Sequence, residues 1–169
     1  MQKYLMAAIS IVILAIAVFL TIRSSRRKSR SQTENPELGS LIDLTALQGT
    51  PLVAAKGQYV ATVFRDKPLE RVVTGGLMYR GKAQLVVTDR GVGIERLGEE
   101  SFAIPAELIL EVGRSSATID RSVEADGLLS ISWLLGATEV ITQLRLDRVD
   151  DTEELAKALK QLVEKDGAR

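Results

Sequence analysis

The hydrophobic pattern of the chain changes period three times. From Tyr4 to Ile22 no residue carries a charge, and only Tyr4, Ser10 and Thr21 carry a polar group. As a helix this run measures roughly 28 Å, close to the hydrocarbon thickness of a bilayer. A buried core helix of that length normally keeps one polar face, and this run has none. The rival reading, a cleaved export signal, calls for a shorter apolar stretch ending in small residues. Here the run continues into "FLTIRSSRRKSR". The pattern therefore predicts an uncleaved transmembrane anchor over 1–30, followed by a polar linker over 31–50 that contains "SQTENPELGS". Within that linker, "LIDLTALQ" is a short apolar stretch that fits either a helical turn or an edge strand.

From Lys56 the period falls to two and β-formers dominate. "QYVATVFR" reads as a strand. "KAQLVVTD" sets Ala83, Leu85 and Val87 against Lys82, Gln84 and Val86, and the turn "DRG" leads to its partner "VGIERL". "SFAIP" and "ELILEVGRS" follow as strands, and "RSVEADG" as a loop. "LLSISWLL" then puts Leu129, Ile131, Trp133 and Leu135 on one face, and "TEVITQLRL" closes the series. Turns about every ten residues suggest a small antiparallel barrel or sandwich. The last change is to a helical period. Asp151 and Thr152 stand at a plausible N-cap, and Leu155, Leu159, Leu162 and Val163 form one apolar stripe before Gly167. Such a helix needs an apolar surface to lie on, which the sheet assembly offers. About seven strands and a C-terminal capping helix is the order of a pleckstrin-homology fold, here placed over 51–169.

Charge then orients the anchor. The formal net charge is zero. Yet the first thirty residues carry Lys3, Arg23, Arg26, Arg27, Lys28 and Arg30 and no acid, so the remainder is net acidic. Basic residues beside a span stay on the cytoplasmic side. Arg23, Arg26, Arg27, Lys28 and Arg30 thus form a membrane-interface cluster against anionic headgroups, with the following domain in the cytoplasm. The expected location is the cell membrane, crossed once. An acidic domain argues against a nucleic-acid partner. The chain has neither cysteine nor histidine. This excludes disulfides, thiolate metal sites, cysteine nucleophiles and any Ser-His triad.

The phrases "KGQYVATVF", "PLERVVTGGLMYRGKAQLVVTDRGVGIERLG", "IPAELI" and "DGLLSISWLLGATEVITQLRL" resemble actinobacterial single-span membrane proteins with a pleckstrin-homology-like domain. The resemblance spans about Lys56 to Leu146, together with the order of anchor and domain. It implies the fold and the anchor, and it brings no catalytic residues.

Candidate chemistry is sparse. Gly76-x-x-x-x-Gly81-Lys82 approaches a phosphate loop. However, Ala83 stands where Ser or Thr would ligate magnesium, and a strand follows instead of a helix. Nucleotide binding is not expected. Lipid-binding pleckstrin-homology domains carry cations on their first two strands and the loop between them. The equivalents here are Arg65, Lys67, Arg71, Arg80 and Lys82, interspersed with Asp66 and Glu70. They are candidates for holding a lipid phosphate, or else a mixed-charge edge that discourages aggregation. Glu99, Glu100, Asp150 and Asp151 read as caps and solubilisers, and Trp133 as core. The reading is a non-catalytic interaction module without cofactor or metal, tethered to the bilayer and binding a protein partner at the inner leaflet. The alternatives are an anionic-lipid sensor and an accessory subunit of an export or transport assembly. Because the chain lacks cysteine, topology has a clean test. A single cysteine at Ser116 or Ala168 should resist a membrane-impermeant thiol reagent in intact cells and react after lysis.

Overall fold

The computed structural model describes residues 38–115 and 127–167. The expected span Tyr4–Ile22, the basic cluster Arg23–Arg30 and most of the loop before the sixth strand lie outside them. Among the described residues no helix is long and apolar enough to cross a membrane. The compact unit that contains them is Pro36–Arg169.

Among the described residues seven strands form one antiparallel sheet: β1 (Pro51–Phe64), β2 (Gly81–Thr88), β3 (Gly91–Arg96), β4 (Phe102–Pro105), β5 (Ile109–Ser115), β6 (Leu128–Leu135) and β7 (Thr138–Leu146). Their spatial order is β4-β3-β2-β1-β7-β6-β5. One helix, α1 (Val149–Gly167), ends the described chain. The expected β-rich fold with a C-terminal helix is therefore the observed one.

β1 is the shared strand. Its first part pairs with β2, from Pro51↔Thr88 to Tyr59↔Gly81. Its second part pairs with β7, from Gly57↔Leu146 to Phe64↔Val140. The register slips by one residue between Tyr59 and Ala61, so Val60 is an extra residue opposite β7. Without that bulge Tyr59 and Thr62, three apart, would face opposite sides of the sheet. With it, both point into the core.

That shared orientation builds a polar chain through a largely apolar interior. The Trp133 indole N–H lies 2.9 Å from Thr142 Oγ1, and Thr142 Oγ1 lies 2.8 Å from Thr62 Oγ1. Thr62 Oγ1 is 2.7 Å from the Tyr59 hydroxyl, which is 2.7 Å from the Leu77 carbonyl. The carbonyl only accepts and the indole only donates. Each hydroxyl therefore donates toward Leu77, and every member is satisfied. Burial pushes the Tyr59 phenol far above its ordinary value, so it stays a neutral donor. The aromatic rings pack around this chain. Phe102 stacks on Trp133 at 5.9 Å between centroids and meets Tyr59 edge-on at 6.3 Å.

Two predicted boundaries shift. The first strand begins at Pro51, ahead of Lys56. Residues 38–50, assigned by sequence to the linker, form a strap on the domain. Leu38 bridges Gly136, Ile42 bridges Ala103, and Leu38 and Leu41 pack against the core. "LIDLTALQ" supplies both of its anticipated states, an edge bridge at Ile42 and a 3-10 turn over Leu44–Ala46. Asp43 caps that turn by accepting the Thr45 amide at 2.8 Å, a bond that holds its carboxyl below the usual value. The strap accepts a hydrogen bond from the outer edge of β4, where the Ala103 N–H donates to the Ile42 carbonyl at 2.8 Å. The other outward position on β4, Pro105, has no N–H to leave unpaired.

The start of α1 also differs from expectation. The helix begins at Val149, and Thr152 is a buried residue within it, not a cap. Its hydroxyl donates back to the Arg148 carbonyl at 3.3 Å. The anticipated stripe is confirmed: Leu155, Leu159 and Leu162 are buried and Val163 is partly buried. Leu155 and Leu159 join the same core cluster as Leu129, Ile131 and Trp133. The helix rests chiefly on β5, β1 and the 3-10 turn Ala106–Leu108 that joins β4 to β5. It thereby covers the corner where the 3-10 turn joins the two end strands of the sheet, β4 and β5. Leu159→Ala in the unit Pro36–Arg169 should cost roughly 2–5 kcal/mol, read by chemical denaturation.

Candidate functional site

With the interior filled by side chains and α1 closing its corner, any ligand or partner must use the outside. The residues singled out by sequence gather around the β1–β2 connection, residues 65–80, and the start of β2. The chain does not leave β1 cleanly there. The Val72 N–H donates to the Thr62 carbonyl at 2.9 Å, and the Thr62 N–H donates to the Leu77 carbonyl at 3.1 Å. The connection thus runs back along the end of β1 as a substitute for β2, which has already diverged.

Its anchor is Arg96, at the end of β3 and only 6% exposed. The residue lies on the inward parity of Val92 and Ile94, and its side chain turns into the end of the barrel. The guanidinium carbon sits 4.8 Å from the Tyr59 ring centroid and 5.4 Å from that of Phe102. Its N–H groups donate to the carbonyls of Gly76 at 3.0 Å, Gly75 at 2.7 Å and Glu100 at 2.7 Å, with a second bond to Glu100. Gly75 and Gly76 adopt φ of 58° and 66°, a conformation that glycine takes without steric cost. One cation thereby braces the β1–β2 connection against the β3–β4 turn. Burial lowers the Arg96 pKa from its ordinary value, while the nearby Glu99 and Glu100 carboxylates oppose that shift. An arginine starts so far above neutrality that it remains charged. The Gly76-to-Lys82 stretch is this braced turn running into β2, without the helix N-terminus that a phosphate loop requires.

The five lipid-phosphate candidates are not equivalent. Arg65 is committed to its own domain. Nη1 lies 2.7 Å from Glu139, 3.1 Å from the Ser132 hydroxyl and 3.4 Å from Glu111. It binds across side chains of β5, β6 and β7. Arg71 is half-buried and donates to the Met78 carbonyl at 3.2 Å. Lys67 is exposed at the tip of the connection, with Asp66 at 3.9 Å. Arg80 and Lys82 are exposed where β2 begins, and Lys82 is opposite Gln58. Lys82 lines an open trough of about 650 Å³ with Lys56, Gln58, Gln84, Glu95 and Asp147. Its exposed charges balance, so the trough does not focus a field of either sign. Among the described residues no group of three or more acidic side chains is placed to hold a metal ion. The basic cluster Arg23, Arg26, Arg27, Lys28 and Arg30 lies outside the described residues.

Sequence reasoning passed over Arg96 as one more polar residue of "VGIERL". A signal was present: an arginine on the buried parity of a strand needs an internal partner.

The model of a bacterial PH domain-like family matches residues 38–160. The chain belongs to this family. The match begins where the strap begins, so the strap counts with the PH-like domain. A solved chain from a structure entitled "The 8S snRNP Assembly Intermediate" superposes with a TM-score of 0.51 at 10% sequence identity. The superposition covers 73% of this chain and 90% of that one, and it speaks for a shared fold alone. No curated protein matches by sequence.

Arg96→Lys keeps the charge but loses the planar fork that reaches three carbonyls. It should lower stability by about 1.5–3 kcal/mol and speed hydrogen exchange at the amides of Leu77 and Tyr79. Unchanged exchange there would mean that the guanidinium does not brace the connection.

Proposed function

We propose that this PH-like domain is a membrane-tethered, non-catalytic interaction module that holds a protein partner at the inner leaflet, on the cytoplasmic side of the cell membrane. At the coarser level, membership of a PH-like family makes it a protein- or lipid-interaction module. The observation that favours a protein partner is the state of the basic candidates. Arg65 is already held by Glu139, Glu111 and Ser132. The remaining cations are interspersed with acids and do not line one pocket of a single sign. A headgroup with several phosphates calls for convergent donors. A protein surface with its own mixed charges does not. The tether is supported by the sequence of 1–30, and its orientation by the cations that follow the apolar run.

The test is co-purification of the full chain from detergent extracts of membranes. Capture of a defined partner should survive charge reversal of Arg65, Lys67 and Arg71 together, since exposed pairs contribute at most about 1 kcal/mol each. Binding to anionic liposomes that disappears with the same change would replace this reading with the lipid sensor. Loss of the partner on exchanging only residues 4–22 for an unrelated span would assign recognition to the membrane segment, as expected of an accessory subunit.

A further inference from the structure

The strap divides into two parts. Leu38 and Leu41 pack against the hydrophobic core, whereas Ile42, Leu44 and Leu47 do not join it. These three lie across β3 and the edge of β4, and they are only partly buried. Backbone pairing there is an isolated bridge, Ile42 to Ala103, and not a ladder. The segment is seated mainly by its side chains.

The surface beneath it is cut to fit. Gly93 stands inside β3, between Val86 on β2 and Ala103 on β4. Its φ lies outside the left-handed region, so its backbone accepts any residue. Glycine weakens a strand interior and marks places where another group comes close. A Cβ built on Gly93 would stand 3.1 Å from Leu44 Cδ2, with the Val86 carbonyl oxygen next at 3.9 Å. The group that needs the space is therefore the leucine. Gly91, with φ of 151°, seats the second leucine: a Cβ there would stand 2.9 Å from Leu47 Cδ1 and would press on the Ile104 carbonyl. The 3-10 turn Leu44–Ala46 brings Leu44 and Leu47 onto one side, because three residues make one turn. Asp43 fixes its start by accepting from the Thr45 amide and hydroxyl. The seated pattern is apolar-Asp-Leu-x-x-Leu, from Ile42 to Leu47.

We propose that this groove on β3 and β4 is a peptide-binding site, and that the strap is its resident occupant. A protein partner presents a segment of the same pattern, apolar-Asp-Leu-x-x-Leu. That segment displaces residues 42–47, accepts from the Ala103 N–H and sets its two leucines over Gly93 and Gly91. The inference rests on the protein-partner reading above and names the surface and the partner's chemistry. Displacement is local. Leu38 and Leu41 hold the start of the strap against the core. Asp89 holds its end, accepting from the Thr50 amide at 2.8 Å and donating its own N–H to the Thr50 carbonyl at 3.2 Å. The middle can therefore lift as a loop. The barrel stays closed, since Val92 and Ile94 belong to the core behind this face. A bare sheet edge invites pairing with any chain, and the strap covers it until the partner takes its place. Because the strap is attached, it competes at high effective concentration and sets the threshold a partner must exceed.

The test uses the full chain in detergent and a fluorescent peptide with the sequence Ser40–Thr50. In an opened variant, Ile42→Ser, Leu44→Ser and Leu47→Ser together empty the groove. It should bind the peptide about tenfold or more tighter than the unaltered chain, where the attached strap competes. A peptide with serine at both leucines should not bind. Adding Gly93→Val fills the seat with a residue that favours strands, so it should abolish binding. Fluorescence of Trp133, the one tryptophan and 1% exposed, should stay unchanged and show the fold intact. Where the opened variant does not fold, the unaltered chain decides. Its Ala103 amide should exchange hydrogen about 100-fold faster than the amides of Leu85 and Leu144 in the central strands, through local lifting of the strap. Exchange at the rate of Leu85 means that the strap opens only with the barrel, and it overturns the proposal. So does a folded opened variant that ignores the peptide, or binding that persists with Gly93→Val. Dimers of the unaltered chain that dissociate on Gly93→Val make the occupant a second copy's strap and overturn a foreign segment. A Gly93→Val chain that still captures its partner from membranes removes this site while leaving the protein-partner reading in place.

Discussion

One extra residue in β1 governs the architecture. Val60 interrupts the alternation of the strand, so Tyr59 and Thr62 point to the same side. Because of this, a hydroxyl from each can join the indole of Trp133 and the hydroxyl of Thr142 in a single donor chain. The chain ends on the Leu77 carbonyl, in the connection that replaces β2 along the end of β1. A buried polar network stabilises a fold only when every member is satisfied, and here every proton has one destination. The bulge also marks where β1 passes from one half of the sheet to the other. Strand pairing, aromatic packing and the seat of the β1–β2 connection thus share one local irregularity.

The same irregularity explains what could and could not be read from the amino acids. Alternation located β2, β3, β6 and β7 because each keeps an unbroken period of two: Ala83, Leu85 and Val87, or Leu129, Ile131, Trp133 and Leu135. Bulges break that period without a residue signature. Val60 looks like any β-former. Leu110, the extra residue between Ile109 and Glu111 opposite β6, looks like core yet is 45% exposed. The strap escaped notice for a different reason. Its two bridges and its leucines are meaningful only beside the β4 edge and the β6–β7 turn, which lie far along the chain. Likewise the helix start was masked by Thr152, a favoured cap type used here inside the helix.

The sequence positions of the basic candidates were legible, and their partners were not. The basic residues do gather near the β1–β2 connection, but their roles are set by acids from distant strands. Arg65 is claimed by Glu139 on β7 and Glu111 on β5. Arg96 is the opposite case: a charge drawn inward, where carbonyls and ring faces replace its water. Which cations face outward is therefore a property of the pairing, and composition alone overstates how many are available.

The pairing of β1 with β7 has a consequence for biosynthesis. Gly57 meets Leu146 and Phe64 meets Val140, so the two halves of the sheet join only after Thr138–Leu146 has been made. Contacts this distant in sequence are slow to form, because the loop between them must be closed first. The N-terminal apolar run leaves the ribosome long before that. An emerging chain would therefore present β1, β2 and β3 as an open sheet with its β7 edge unpaired, and on the tethered reading this would happen at the membrane. Pairing could be completed only as Thr138–Leu146 arrives. The strap, which covers the β4 edge and is made before β4 itself, leaves the β1 edge as the principal site of vulnerability during synthesis.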